Sequence, residues 1–99
     1  MNPNKVDRAK VKQLIDLPNV GKATAHDLRL LGFPTPGHIV GACPFAMYER
    51  LCQQTGQRHD PCVIDVFMSI TSFLQGEPPR PWWEFTEARK KALARVSRP

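Results

Sequence analysis

The stretch Leu14-Ile15-Asp16-Leu17-Pro18-Asn19-Val20-Gly21-Lys22-Ala23-Thr24 places a proline, an asparagine, an apolar residue and a glycine directly ahead of a lysine-bearing helix start. Pro18 ends whatever helix precedes it, Asn19 tolerates a positive φ, Val20 can plug the turn into a core, and Gly21 lets another backbone approach closely. The amides of about Gly21, Lys22 and Ala23 then have no intrahelical acceptor, and they point outward at the positive end of a helix dipole. Oxyanions bind such an arrangement, and Lys22 adds a full charge, so Asn19, Val20, Gly21, Lys22, Ala23 and Thr24 form a candidate phosphate site. A site of this kind touches no base edge. It is expected to hold a nucleic-acid backbone with little sequence preference and to weaken as salt rises.

Three other groups of residues invite chemistry. His59 and Cys62 lie three apart at a helix start, where a thiol pKa can be lowered, and with Cys43 and Cys52 they make a metal site arithmetically possible. Neither the spacing nor any third orienting group supports a nucleophile or a zinc site. The reading preferred is buried thiols, with Asp60 capping a helix and Arg58 pairing with Asp65. Trp82-Trp83 can stack on unpaired bases, but packing back over the core is the preferred expectation. Arg89-Lys90-Lys91 forms a basic helix face available as a second phosphate contact, useful because one such site alone gives a non-specific Kd on the order of 10⁻⁴ to 10⁻⁶ M. No catalytic residue, metal or cofactor is expected.

Helical periodicity dominates the elements that must carry these residues. Val11, Leu14 and Ile15, then Ala25, Leu28 and Leu31, recur at steps of three and four. They predict one helix over about Lys5 to Ile15, a second over about Lys22 to Leu31, and a left-handed cap at Gly32. A bare Pro-x-x-Gly is usually no more than a tight turn. With Leu14, Leu17, Val20, Ala25, Leu28 and Gly32 in register, the segment Leu14 to Phe33 has the layout of a helix-hairpin-helix, with small Ala25 allowing close packing. The one departure is Asn19, where such motifs usually carry glycine.

Further along, Thr35 is expected to cap a short helix opened by Pro36 and reaching about Gly41. Pro44 restarts a helix ending near Gly56, with Phe45, Tyr48, Leu51 and Cys52 on one face. Pro61 opens a helix to about Gln75 that is apolar nearly all round and hence central. Gly76 to Pro81 breaks the chain. A last amphipathic helix from about Trp83 to Val96 is expected to turn Phe85, Ala88, Ala92 and Val96 inward and Arg89, Lys90, Lys91 and Arg95 mostly outward. His26 is expected to be exposed.

Composition sets the frame. The 99 residues are 41% hydrophobic, enough for one core and not two, so residues 1–99 are read as a single helical domain, with the hairpin at 11–33 and a helical extension at 57–96. Fourteen Lys and Arg against nine Asp and Glu give a formal charge of +5, which favours polyanionic partners. Three cysteines without a C-x-x-C pair indicate neither a disulfide framework nor a zinc ribbon, and no signal-peptide or membrane-length apolar run is visible. The expectation is a cytoplasmic protein away from membranes.

The runs Thr55-Gly56-Gln57-Arg58-His59-Asp60-Pro61-Cys62-Val63-Ile64-Asp65-Val66-Phe67 and Pro81-Trp82-Trp83 resemble the small bacterial pathogenicity locus family, some members of which are called mitomycin resistance proteins. The likeness spans about residues 10 to 92. It implies a helix-hairpin-helix protein that binds DNA, with a link to damage tolerance, and it supplies no catalytic residues. The sequence thus leads to an all-α bundle of five or six helices with a SAM-like hairpin, binding single- or double-stranded DNA through its backbone. A protein-interaction module with a purely structural hairpin is the rival, and a thiol or metal site at His59 and Cys62 a second one.

Overall fold

The computed structural model describes residues 5–96, all helix, turn and loop with no strand among them. Four α-helices run in order: α1 Lys22–Leu30, α2 Pro44–Thr55, α3 Cys62–Leu74 and α4 Thr86–Val96. Short 3-10 turns at Arg8–Lys10, Leu14–Asp16, Pro36–Ile39 and Trp82–Phe85 connect them. The Cα radius of gyration of 13.0 Å matches the roughly 13 Å of a compact chain of this length.

The first expected helix does not form. In place of one helix over Lys5 to Ile15 there are two 3-10 turns, separated by extended backbone at Val11 and Gln13. Two aspartates explain the break. The Asp7 carboxylate accepts the Ala9 amide at 3.0 Å, and the Asp16 carboxylate accepts those of Lys12 and Gln13 at 3.0 and 2.8 Å. These local bonds compete with a continuous helical ladder, which is why Asp favours caps over helix interiors. The apolar period survives the change, since Leu14 and Leu17 are still buried.

The other boundaries fall close to expectation. At the end of α1, Gly32 stands at φ 91°. Its amide bonds to the Arg29 carbonyl while that of Phe33 reaches back to Leu28, a Schellman closure. Thr35 sits at the cap position of its 3-10 turn, but its hydroxyl meets His38 Nδ1 at 2.7 Å instead of capping the backbone. Asp60 does cap α3, accepting the Cys62 amide at 2.9 Å. The last helix begins as the 3-10 turn Trp82–Phe85 and becomes α-helical at Thr86.

Helix α3 is the bench on which the rest is mounted. Ile64, Phe67, Ile70 and Phe73 are buried and join Leu14, Leu17, Val20, Ala25, Leu28, Leu31, Ile39, Met47, Tyr48 and Leu51 in one core. Helices α2 and α4 and the turns at Pro36–Ile39 and Trp82–Phe85 all pack against it. The N-terminal segment reaches its far end, where the Arg8 guanidinium donates to the Phe73 carbonyl and, at 2.6 Å, to that of Glu77. A cation there also complements the negative end of the α3 dipole.

Two expectations about α4 are corrected. Ala88 is exposed, and Arg89 turns inward with only 13% of its side chain exposed. Its partner is Asp65, wholly buried on α3: Arg89 Nε and Nη2 donate to the two carboxylate oxygens at 2.9 and 3.3 Å, and the Thr86 hydroxyl adds a bond at 2.8 Å. The expected Arg58–Asp65 pair is therefore absent, and Arg58 meets Glu49 at 3.5 Å on the surface instead. Burial explains the outcome, because a carboxylate inside an apolar helix face must find a cation and hydrogen-bond donors. Phe85 and Ala92 are half-buried as expected, whereas the Val96 side chain lies outside the described residues. Asp65→Ala should lower the unfolding free energy in urea by about 3 kcal/mol, because it leaves the Arg89 charge buried and unpaired. Adding Arg89→Met should recover part of the loss.

Candidate nucleic-acid interface

The turn between Leu14–Asp16 and α1 is built as its residue types suggest. Leu17 and Val20 are fully buried and Pro18 is buried between them in sequence, so the turn is plugged into the core from both sides. Asn19 lies at φ 65°, the one non-glycine residue with positive φ among those described. Its side chain does more than tolerate that conformation. The Asn19 carboxamide donates to the Ser69 hydroxyl at 2.9 Å and to the Arg80 carbonyl at 2.8 Å. Ser69 in turn donates to the Val66 carbonyl at 2.6 Å within α3, so its buried hydroxyl is satisfied on both sides. One amide group thus ties the turn to both α3 and the proline-rich segment before Trp82.

Beyond Asn19 the surface opens. Gly21, Lys22 and Ala23 are exposed, and Thr24 is half-buried. Gly21 is the N-cap of α1 and offers no side-chain cap, and the first α-helical bond is donated by Ala25 to the Gly21 carbonyl at 2.9 Å. The preceding amides are the orphan donors of a helix start. Gly21 itself has φ −102° and ψ −168°, extended backbone open to any residue, and a Cβ added there meets nothing within 4 Å. Nothing inside the protein requires glycine at this position.

The sequence missed what holds this turn in place. Ser69 and the Arg80 carbonyl bear on the site only through Asn19, and the sole signal was a serine within an apolar helix. Of the basic cluster on α4, Lys90 and Lys91 are exposed, while Arg89 is committed to Asp65. The tryptophans divide. Trp82 is half-buried, but Trp83 is 60% exposed, contrary to the expectation that both pack inward.

The His59 and Cys62 region is structural in its contacts. His59 Nε2 meets the Thr55 hydroxyl at 2.8 Å, and the His59 carbonyl accepts the Tyr48 phenol. Burial, then the hydrogen bond with Asp60, push the Cys62 thiol above its ordinary pKa, the reverse of the lowering expected at a helix start. Cys43 is exposed and not a buried thiol, Cys52 is half-buried, and no three His, Cys, Asp or Glu side chains converge as metal ligands among the described residues. A largely apolar cavity of about 470 Å³ lies beside this segment, lined by Phe45, Tyr48, Arg58, Pro61, Ile64 and Leu93 among others.

The two hydrogen bonds donated by Asn19 make its replacement diagnostic. Asn19→Gly keeps the backbone relaxed and loses only the two hydrogen bonds, a cost of about 1 to 2 kcal/mol. Asn19→Ala loses the same bonds and, unlike the glycine variant, keeps a Cβ in the left-handed region, which leaves it roughly 1 to 2 kcal/mol below Asn19→Gly. Urea denaturation should rank wild type, Asn19→Gly and Asn19→Ala in that order of falling stability.

Comparison with known proteins places this geometry. No helix among the described residues is long and apolar enough to cross a membrane. No solved structure matches the chain. A mitomycin resistance protein of Streptomyces lavendulae, McrB, is 38% identical over 81 residues, covering 82% of this chain and 77% of its own. The family model described as pathogenicity locus matches residues 7–91, and the chain belongs to that family.

Proposed function

We propose that the protein binds the sugar-phosphate backbone of DNA through a helix-hairpin-helix spanning Leu14 to Phe33, and that it acts by binding, without catalysis of its own. In this reading the first helix of the hairpin is reduced to the 3-10 turn Leu14–Asp16, and α1 is the second. The observation that carries the reading is Gly21: a glycine that neither backbone strain nor packing demands, beside exposed helix-start amides and an exposed lysine. Phosphate oxygens suit that combination of bare backbone, dipole and charge. Asn19 and Val20 set the turn, Gly21, Lys22, Ala23 and Thr24 supply amides and charge, and Lys90 and Lys91 provide a second contact. The likeness to a protein named for mitomycin resistance suggests a role in DNA repair or damage tolerance, in the cytoplasm of a bacterial cell.

The rival reading is a protein-docking module whose hairpin is only structural. It draws on the apolar cavity lined by Phe45, Tyr48, Ile64 and Leu93, none of which belongs to the hairpin. Fluorescence anisotropy with labelled duplex at several salt concentrations separates the two. Wild-type affinity should fall steeply with salt. Lys22→Glu should abolish measurable binding at moderate salt, and Gly21→Ala should weaken it several-fold while leaving the thermal melt unchanged. Duplex affinity indifferent to both substitutions would favour the protein partner.

A further inference from the structure

We propose that Trp83 is a stacking platform for an unpaired base, so that the preferred ligand is a single strand, or an unpaired stretch, whose phosphates rest on the hairpin. This rests on the hairpin reading above and adds to it the class of nucleic acid. Four observations converge on it.

Trp83 is the most exposed of the large hydrophobic residues described, at 60%. A tryptophan side chain left in water at that level forgoes much apolar burial, whereas a nucleobase offers a flat partner of matching size. The ring is also held. Trp82 and Trp83 meet edge to face, with centroids 5.8 Å apart and planes at 83°. Such a contact takes at most one face of Trp83. The turn that carries both rings starts from buried Pro81 and packs on α3, so the platform is mounted on the rigid centre of the fold.

The third observation is position. The Asn19 carboxamide bonds to the Arg80 carbonyl, three residues before Trp83, while Lys22 lies three residues after Asn19. Three residues reach at most about 11 Å on each side of that bond, about 22 Å in all, so the backbones carrying the ring and the phosphate site lie within several nucleotides of each other. The same amide bonds to Ser69, which fixes both segments to one helix. The fourth is charge. Arg80 stands over the Phe85 ring at 5.2 Å and meets Glu84 at 4.0 Å, so the nearest acidic side chain on this turn has a cation beside it. Bases in a duplex already have both faces covered by their neighbours. Only an unpaired base can use the indole.

The test compares a homothymidine oligonucleotide with a duplex, by anisotropy and by quenching of intrinsic tryptophan fluorescence, on wild type, Trp83→Ala, Trp83→Phe and Lys22→Glu. Trp83→Ala should cost roughly ten-fold in single-strand affinity and leave duplex affinity unchanged, with Trp83→Phe recovering most of the loss. Single-strand binding should quench the indole emission. Lys22→Glu should weaken both ligands. Loss from both ligands on Lys22→Glu with no effect of Trp83→Ala would keep the hairpin and overturn the platform. Equal loss from both ligands on Trp83→Ala would likewise overturn it, and a wild type that binds neither ligand at low salt would overturn platform and hairpin together. Unchanged thermal melts of the Trp83 variants exclude unfolding as the cause.

Discussion

A single carboxamide determines how three distant segments of this chain are held together. Asn19 occupies a left-handed turn and spends both donors of its amide nitrogen across the fold, one on α3 and one on the proline-rich segment. Three elements are thereby registered to one another: a turn with little helix before it, a segment of prolines, and the helix beneath them. Glycine would serve the backbone of the turn equally well. It would leave the turn without its hydrogen bonds to α3 and to the segment before the tryptophans.

The same logic recurs along α3, where Asp65 and Ser69 stand one helical turn apart among buried apolar side chains. Asp65 draws Arg89 and Thr86 of the last helix inward, and Ser69 receives Asn19 from the first turn. At its C-terminal end the helix presents carbonyls to Arg8. Buried polar groups need partners, and here each partner comes from a different part of the chain. The core supplies most of the stability by area, but these bonds decide which segments face which. Arg89 therefore serves the interior, and the positive outer surface of α4 rests on Lys90, Lys91 and Arg95.

Much of this was legible in the sequence. The order and type of α1 to α4, the plug made by Leu17 and Val20, the positive φ at Asn19 and the close of α1 at Gly32 all followed from residue type and spacing. The first helix was misread because a period of three and four is satisfied equally by two 3-10 turns, and Asp7 and Asp16 sit where their carboxylates can take backbone amides. Arg89 was misread because an amphipathic pattern assigns cations outward by default. Asp65 and Ser69 were the available warning, since polar residues on a buried helix announce long-range partners without naming them. The exposure of Trp83 had no local signal, because it depends on how the 3-10 turn at Trp82–Phe85 is seated on α3.

The proposed phosphate contact is made at the start of α1, so the most direct measurement is residue-resolved. Backbone amide ¹H–¹⁵N shifts during titration with a short oligonucleotide should move most at Gly21, Lys22, Ala23 and Thr24, with downfield proton shifts as those amides take phosphate oxygens. Shifts confined to residues around the cavity at Phe45 and Leu93, with Gly21 to Thr24 unmoved at low salt, would contradict the account.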